Sequence, residues 1–308
     1  MRKTGMRSVV AALALIAASQ AVAADAESCK KVRLSDVGWT DIQVTTGVAH
    51  TLLTALGYEP EVTQLSVAVT LTALKENDID VFLGNWMPTQ TDQLKPYTDE
   101  GSIEVISQNL EGAGFGPVVP DYVTAEGVKS LEDLAKNAEK FDGKIYGIEA
   151  GSGGNKALLA MIEDKSLAGF ELIESSEAGM LTQAEQMMKD KGWVVFLGWT
   201  PHPVMGEMKI NYITGMEKAG FGEAKVNTLT RKDYVAECPN AGAFAKNLKF
   251  DLSMENAMMA KVLAGENPND VAKEWLKANP DAATPWLAGV TTFDGGDAAA
   301  AVKAALAN

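Results

Sequence analysis

The stretch Val-Phe-Leu-Gly-Asn-Trp-Met-Pro at residues 81–88 decides the fold, and Val-Phe-Leu-Gly-Trp-Thr-Pro at residues 195–201 repeats its pattern. Each stretch is a short apolar run, typical of a buried strand, that meets a glycine and then a tryptophan, Trp86 or Trp199, where the strand should end. In open α/β sheets, ligands bind outside the carboxyl ends of the strands. Two such strand ends, one in each half of the chain, predict two lobes that face each other across a ligand.

A β-α-β-α-β pattern leads to the first stretch. Alternating apolar residues predict a strand at 31–37, and the helix after it has Asp41 as its N-cap and Gly57 as its C-terminal stop. A strand at 61–65, a second helix and a strand at 80–84 complete the unit. Strands connected in this way should be parallel, with right-handed crossovers.

The same unit recurs in the second half of the chain. Strands are predicted at 144–149, 171–174 and 193–198, with a helix between each pair. Between residues 101 and 119, extended stretches are predicted at 103–107 and 115–119, joined through the glycine-rich residues 111–114. This pattern suits a crossover between lobes, although a simple loop would give the same pattern, and the stretch at 225–230 would return the chain. The residues after it are predicted to be mainly helical.

These patterns predict an α/β protein with a leader and two lobes. Residues 1–23 form the leader, residues 24–110 and 231–308 form a discontinuous first lobe, and residues 111–230 form the second lobe. About 285 residues after the leader are enough for two separate cores. Each lobe should hold a mainly parallel sheet flanked by helices, with the ligand cleft between the lobes.

The leader has the pattern of a cleaved secretory signal peptide. Arg2, Lys3 and Arg7 precede an apolar run at 9–18, which is too short to span a bilayer, and Ala-Val-Ala at 21–23 offers small residues for cleavage. We therefore expect a periplasmic protein. Loss of these three positive charges takes the formal net charge from −14 to −17, which disfavours nucleic acid or an anionic membrane as a partner.

The two cysteines, Cys29 and Cys238, lie far apart in the sequence. In an oxidising compartment, one distant pair is more typical of a disulfide than of two free thiols. Such a bond would hold the C-terminal helices on the first lobe. No metal site is expected, because the histidines His50 and His202 lie far from either cysteine in sequence, and no cofactor is expected.

The candidate cleft combines aromatic rings with one carboxylate. Rings attract a cation through their quadrupole and need no hydrogen-bond donor from it, so this combination is suited to a quaternary ammonium group. Helix N-termini at Asp41 and Asn155 offer backbone N–H groups for a hydroxyl, carboxylate or oxide. The candidate ligand-binding residues are Trp39, Asp41, Trp86, Phe115, Ser152, Gly153, Asn155 and Trp199.

Other interpretations of these residues remain open. Tryptophans are more often packing residues than ligand contacts, and Asp41 and Asn155 could act only as helix caps. The glycine-rich turn at 151–155 resembles a phosphate loop but lacks its Lys-Ser/Thr pair. His202, between two prolines, is either structural or a donor to a ligand carboxylate.

The sequence resembles the periplasmic substrate-binding proteins of ABC importers for quaternary ammonium compounds, and most closely the choline-binding members of the glycine betaine/choline family. The likeness covers nearly the whole chain after the leader. Its most specific stretches are residues 36–41, 78–88, 143–149, 195–203 and 237–240.

The resemblance implies a type II periplasmic-binding fold whose two lobes close on a ligand and deliver it to a membrane permease. It implies an aromatic box, matched here by Trp39, Trp86 and Trp199, with Asp41 answering the ligand's charge. The family's paired cysteines are matched as well. Two positions depart from the family's pattern: Phe115 stands in place of a tyrosine, and Ser152 in place of the asparagine that meets the hydroxyl of choline.

The leading hypothesis is therefore a monomeric binding protein, not an enzyme, that takes choline to an ABC transporter permease. Glycine betaine, trimethylamine oxide and sulfonium analogues remain alternative ligands. An exported hydrolase of choline esters, using His202 with a serine such as Ser152, is the rival from another class, although no nucleophile elbow is recognisable. A receptor that reports ligand to a sensor would share the same cleft.

Overall fold

A computed structural model describes residues 25–307, and the predicted leader at 1–23 lies outside them. The strands are β1 (Lys31–Asp36), β2 (Glu59–Gln64), β3 (Val81–Met87), β4 (Ile103–Pro120), β5 (Lys144–Tyr146), β6 (Glu171–Ile173), β7 (Phe196–Thr200), β8 (Ile210–Tyr212) and β9 (Gly222–Arg231).

The helices are α1 (Thr40–Ala55), α2 (Val67–Lys75), α3 (Thr91–Asp99), α4 (Asp121–Ala125), α5 (Leu131–Lys136), α6 (Gly153–Glu163), α7 (Glu177–Lys189), α8 (Val204–Glu207), α9 (Tyr234–Glu237), α10 (Pro239–Asn247), α11 (Leu252–Leu263), α12 (Pro268–Ala278) and α13 (Ala298–Ala307). Short 3₁₀ turns occur at Glu27–Cys29, Ala138–Phe141 and Glu217–Ala219.

The strands of the described range form one sheet in the order β2-β1-β3-β9-β4-β7-β5-β6, with β8 paired to the end of β4. At one end β1 is parallel to β2 and β3, and at the other β5 is parallel to β6 and β7. The parallel strands predicted for both halves of the chain are therefore confirmed. The central strands β4 and β9 are antiparallel to each other and to their outer neighbours.

The sheet thus has two outer parts joined by the β4–β9 pair. We call strands β1 to β3, with α1 to α3 and α10 to α13, the β1–β3 part, and strands β5 to β7, with α4 to α8, the β5–β7 part. The crossover predicted as two extended stretches around a glycine loop is instead one continuous strand, β4, whose pairing with β9 is irregular between Val105 and Ala113. Irregular pairing absorbs the extra residues, including Gly112 at φ 70°, without ending the strand.

Helix α1 forms the centre of the β1–β3 part. Ile42, Val44, Val48 and Leu52 are buried along its length, and α11 and α12 pack against it. The C-terminal helices are also held covalently, since the predicted disulfide between Cys29 and Cys238 is formed.

Asp25 reinforces the attachment of the C-terminal helices. Its carboxylate accepts hydrogen bonds from the backbone N–H groups of Asn240 and Ala241 in the first turn of α10, at 2.7 and 2.9 Å. A carboxylate at a helix N-terminus is favoured by the helix dipole.

Asp80 joins three strands of the sheet. It accepts side-chain hydrogen bonds from Arg33 of β1 and from Arg231 at the end of β9. Burial opposes ionisation, but the bonds from the two guanidinium groups outweigh it and hold the pKa of Asp80 below its usual value. Removal of either arginine would leave a nearly buried charge only partly compensated.

Trp86 and Trp199 lie within strands, not beyond their ends. Trp86 pairs with Val226 of β9, and Trp199 pairs with Phe115 of β4, so the antiparallel central strands extend β3 and β7 farther than their sequences predict. Helix α3 was not predicted, because its internal Pro96 reads as a helix breaker. Within residues 25–307, no helix has the length and apolar character needed to cross a bilayer, and no group of potential metal ligands occurs.

Candidate functional site

A small cavity lies between the β1–β3 part and the β5–β7 part. Of the eight ligand-binding candidates, the seven that line it are Trp39, Asp41, Trp86, Phe115, Ser152, Gly153 and Trp199. The cavity wall also contains residues that the sequence analysis did not single out, namely Thr89, Gln90, Ile148 and Gly154.

Four aromatic side chains line the cavity. The ring centroids of Trp86 and Phe115 are 5.9 Å apart, and those of Phe115 and Trp199 are 6.4 Å apart. Trp39, Trp86, Phe115 and Trp199 are each 4–6% exposed, so the rings are almost entirely removed from solvent. Phe221 packs behind Phe115, with centroids 5.7 Å apart, and supports its ring.

Asp41 supplies the negative charge of the cavity. The prediction that it caps α1 is wrong: the N-cap is Trp39, and Asp41 lies in the first helical turn. Its Oδ2 accepts a hydrogen bond from Trp86 Nε1 at 2.9 Å, while its buried Oδ1 has no hydrogen-bond partner within residues 25–307. Burial, together with the nearby Glu177 carboxylate, raises the pKa of Asp41 from 3.8 to about 8. A cation beside Oδ1 would remove this penalty.

Ser152 and Asn155 have different roles at the start of α6. The helix begins at Gly153, three residues earlier than predicted, with Ser152 as its N-cap, because Ser152 Oγ accepts a bond from the N–H of Asn155 at 3.3 Å. The Asn155 side chain bonds both backbone groups of Ile148, and its Nδ2 also donates to Glu174 Oε1. Asn155 therefore stabilises the turn between β5 and α6 and is not among the cavity-lining residues.

Two glycines at the start of α6 allow close contacts around the cavity. A Cβ atom on Gly154 would lie 2.5 Å from Phe115 Cζ, and one on Gly153 would lie 2.7 Å from the backbone oxygen of Thr89. Any larger residue would displace the Phe115 ring or separate α6 from the β1–β3 part.

Two acidic residues of the β5–β7 part reach the start of α1. Glu149 Oε2 accepts a hydrogen bond from Trp39 Nε1 at 2.8 Å, and Glu177 accepts from both the N–H and the hydroxyl of Thr40 at 2.8 and 2.6 Å. Sequence reasoning missed both residues. Locally, Glu149 is only a carboxylate that follows a strand, and Glu177 is only a carboxylate in the first turn of a helix. Neither position indicates a hydrogen-bond partner more than 100 residues away.

His202 stands behind Trp199, as the structural interpretation of this residue predicts. Its ring meets the Trp199 ring edge to face, with centroids 4.9 Å apart, and its Nε2 is 3.0 Å from Glu177 Oε1. Trp199 Nε1 is buried and has no hydrogen-bond partner in the described part of the chain.

The cavity is suited to a cation that offers few hydrogen-bond donors. Lysine and arginine are absent from the residues of the described range that line it, whereas aromatic faces and one partly unpaired carboxylate are present. Such rings hold a methylated onium ion by cation–π attraction. The N-terminus of α6 and the Ser152 hydroxyl provide a polar end for the rest of the ligand.

The structure is similar to solved binding proteins. An ABC-transporter choline-binding protein in complex with choline matches with a TM-score of 0.90 and 49% identity, covering 92% of this chain and 100% of that one. Lactococcal OpuAC in its closed form with glycine betaine matches with a TM-score of 0.76 and 26% identity, covering 83% and 98%. The fold is therefore that of the type II periplasmic binding proteins.

The sequence comparisons also match this chain to binding proteins of ABC transporters. The glycine betaine/carnitine transport binding protein GbuC of Listeria monocytogenes is 30% identical over 159 residues, which are 51% of this chain and 53% of that protein. Residues 30–278 match the family described as the substrate-binding domain of ABC-type glycine betaine transport systems. This match covers most of the chain and both sides of the cavity, so the protein belongs to that family of ABC-transporter substrate-binding proteins.

Proposed function

We propose that the protein captures choline in the periplasm and delivers it, as a monomer, to an ABC permease, after removal of the leader at 1–23. In this proposal, residues 24–110 and 231–308 form one lobe and residues 111–230 form the other. The lobes close on the ligand by bending of the β4–β9 pair, whose irregular register lies near residue 110.

The observation that carries the proposal is the unpaired carboxylate oxygen of Asp41 among aromatic rings. A buried charge without a partner is costly, and a buried polar atom without one costs about 1–3 kcal/mol. A trimethylammonium group would neutralise the charge and present only methyl groups to the rings. Each desolvated cation–π contact is worth about 2 kcal/mol, so the rings could provide much of the roughly 8 kcal/mol that micromolar binding requires.

The acidic surroundings favour choline over glycine betaine. Besides Asp41, Glu149 lies next to the cavity, and its buried Oε1 has no hydrogen-bond partner among residues 25–307. Burial raises the pKa of this carboxylate above its usual value, although the bond from Trp39 opposes the rise. A ligand carboxylate would meet two acids, whereas the hydroxyl of choline can accept a hydrogen bond from Ser152. The likeness to a choline-binding protein supports the same choice.

We propose that the site binds its ligand and catalyses no reaction. A hydrolase would need a serine activated by a histidine. Here Ser152 Oγ caps α6, whereas His202 bonds Glu177 on the far side of Trp199. These two contacts place the histidine and the serine in separate hydrogen-bond networks.

Isothermal titration with four ligands tests the proposal. The ligands are choline, glycine betaine, trimethylamine oxide and the neutral isostere of choline in which a tert-butyl group replaces trimethylammonium. We expect choline to bind most tightly and the neutral isostere at least about a hundredfold more weakly, because two or more cation–π contacts of roughly 2 kcal/mol are lost. Equal affinity for choline and its isostere would reject cation recognition, and tighter binding of glycine betaine would reassign the ligand.

A further inference from the structure

The wall of the cavity is shared by the two parts of the sheet, and its tryptophans are almost removed from solvent. The three tryptophans of the wall belong to both sides, Trp39 and Trp86 to the β1–β3 part and Trp199 to the β5–β7 part, and each is no more than 6% exposed. Contacts that join the two parts directly therefore govern how long a ligand stays inside.

Glu177 makes the densest set of these contacts. Its carboxylate, 5% exposed, begins α7 in the β5–β7 part and accepts two hydrogen bonds from Thr40, the first residue of α1 in the other part. It therefore lies near the N-termini of two helices, whose dipoles both favour a negative charge. Charge-assisted bonds of this kind are about twice as strong as neutral ones.

The geometry points to Glu177 as the residue that holds the closed state. His202 positions its carboxylate, and Thr40 donates the hydrogen bonds that it accepts. We call the Glu177–Thr40 contact the latch. This inference rests on the proposed function and on the proposed pair of lobes. Glu177 does not line the cavity, so its effect is on opening and closing and not on direct ligand contact.

His202 orients the latch through a defined tautomer. The N–H of Val204 donates to His202 Nδ1 at 3.3 Å, so the ring proton is on Nε2, which donates to Glu177 Oε1 at 3.0 Å. Because the same ring packs against Trp199 with its plane at 87° to the indole, movement of Trp199 is transmitted to the latch. The latch and the aromatic wall are thus mechanically connected.

The charge of the ligand adds to the stability of the latched state. Thr40 and Asp41 are adjacent, so closing brings the Glu177 carboxylate toward the Asp41 carboxylate, and this like charge contributes to the raised pKa of Asp41. A bound cation offsets the repulsion between the two carboxylates in the closed state, because it compensates the charge of Asp41. A ligand shifts a conformational equilibrium only by its differential affinity for the two states. A cation therefore favours the latched state, whereas a neutral isostere does not.

Stopped-flow kinetics with choline test the latch. Latch bonds form after entry, so Glu177→Gln and Thr40→Val should raise the dissociation rate constant at least tenfold and change the association rate constant less than twofold. Thr40→Ser, which keeps the hydroxyl donor, should restore slow dissociation. Glu185→Gln makes the same chemical change on the exposed face of α7 and should dissociate like wild type. Unchanged dissociation in Glu177→Gln, or no difference between the valine and serine variants, would overturn the latch.

A distance measurement separates failure of the latch from failure of the proposed function. Spin labels at Glu76→Cys and Glu163→Cys, exposed positions in the two parts, report the closed fraction by double electron–electron resonance. Glu177→Gln should lower the closed fraction without ligand, even if choline proves not to bind. Identical distance distributions in wild type and Glu177→Gln, with and without ligand, would reject the latch, whereas loss of choline binding by wild type would reject only the proposed function.

Discussion

At the scale of single residues, Asp41 determines the chemistry of the site. It is 1% exposed, and one of its oxygens is bonded only by an indole, so its charge is held in a poorly solvated place. Ionisation of Asp41 is therefore unfavourable unless a cation lies beside it. A cation beside Asp41 would stabilise its ionised form, and this stabilisation would contribute to the binding free energy.

The first prediction concerns pH. Because the pKa of Asp41 is raised to about 8, the ligand-free carboxyl is protonated below that pH and must release its proton to accept a cation. The dissociation constant for choline should therefore fall as pH rises toward 8, by up to about tenfold per pH unit, and level off above it. Titrations in buffers of different ionisation enthalpy would measure the proton released.

Asp41→Asn is the control for this pH dependence. It keeps the size of the side chain and an acceptor for Trp86 but carries no charge at any pH. Its affinity should be low and independent of pH. A wild-type dissociation constant that stays flat from pH 6 to 8 would contradict the assigned role of Asp41.

The second prediction concerns Trp199. Trp199→Ala should weaken choline binding at least about tenfold, since one desolvated cation–π contact is lost, and Trp199→Phe should lose less because a ring remains. Calorimetry is the suitable measurement, because the substitution also changes the fluorescence. Trp275→Ala, in α12, removes an indole outside the cavity and should leave the affinity as it is.

How much of the site could be predicted differs between residues. Trp86 and Trp199 were recognisable because each follows a local apolar run that predicts a buried strand. Glu149 and Glu177 were not, because a hydrogen bond to Trp39 or Thr40 depends on how the two parts face each other, which no local pattern encodes. Asp41 was a ligand-binding candidate from the sequence, but its hydrogen bond from Trp86 was not predicted, for the same reason.

At the scale of elements, the N-termini of α1 and α6 form the polar ends of the cavity. Both helices begin with small or polar residues, so their first turns can approach the ligand and the facing part closely. The sequence predicted both helices but misplaced their first residues by two at α1 and three at α6. Helix boundaries are poorly determined by local sequence, since Asp41, Ser152 and Asn155 are all acceptable caps.

The third prediction tests the close packing at α6. Gly154→Ala should raise helix propensity by about 1 kcal/mol, yet its Cβ would press on the Phe115 ring, 2.5 Å away, and distort the aromatic wall. Choline affinity should therefore fall about tenfold or more while the melting temperature changes little. Gly206→Ala in α8 is the matched control, because its Cβ would have no atom of the described residues within 4 Å. Equal affinities of the two variants would contradict the role of Gly154.

At the scale of the whole molecule, β4 and β9 are the connection that sequence patterns described least well. The pattern indicated two crossings between the halves of the chain. It did not reveal one long strand, because Gly112 and Gly114 read locally as a loop, and only pairing with β9 shows that the strand continues. Long-range pairing decides such cases, whereas the parallel units at either end follow from local periodicity.

The fourth prediction concerns the disulfide. Replacing Cys29 and Cys238 by serine removes a cross-link between residues 209 positions apart and should lower the free energy of unfolding by about 2–5 kcal/mol, measured by urea titration. Choline affinity should stay within about twofold, because neither cysteine lines the cavity. A large loss of affinity with unchanged stability would mean that the bond shapes the site instead of anchoring α10.

The path of the chain through β4 and back through β9 has a consequence for biogenesis. A polypeptide leaves the ribosome N-terminus first, so β3 emerges long before β9, its antiparallel partner, and Cys29 long before Cys238. The strands of the β5–β7 part, which lie between β4 and β9 in the sequence, are therefore all synthesised before the β1–β3 part has its partner β9. The early segment therefore cannot complete its sheet or form its disulfide until the residues of β9 and Cys238 have been synthesised.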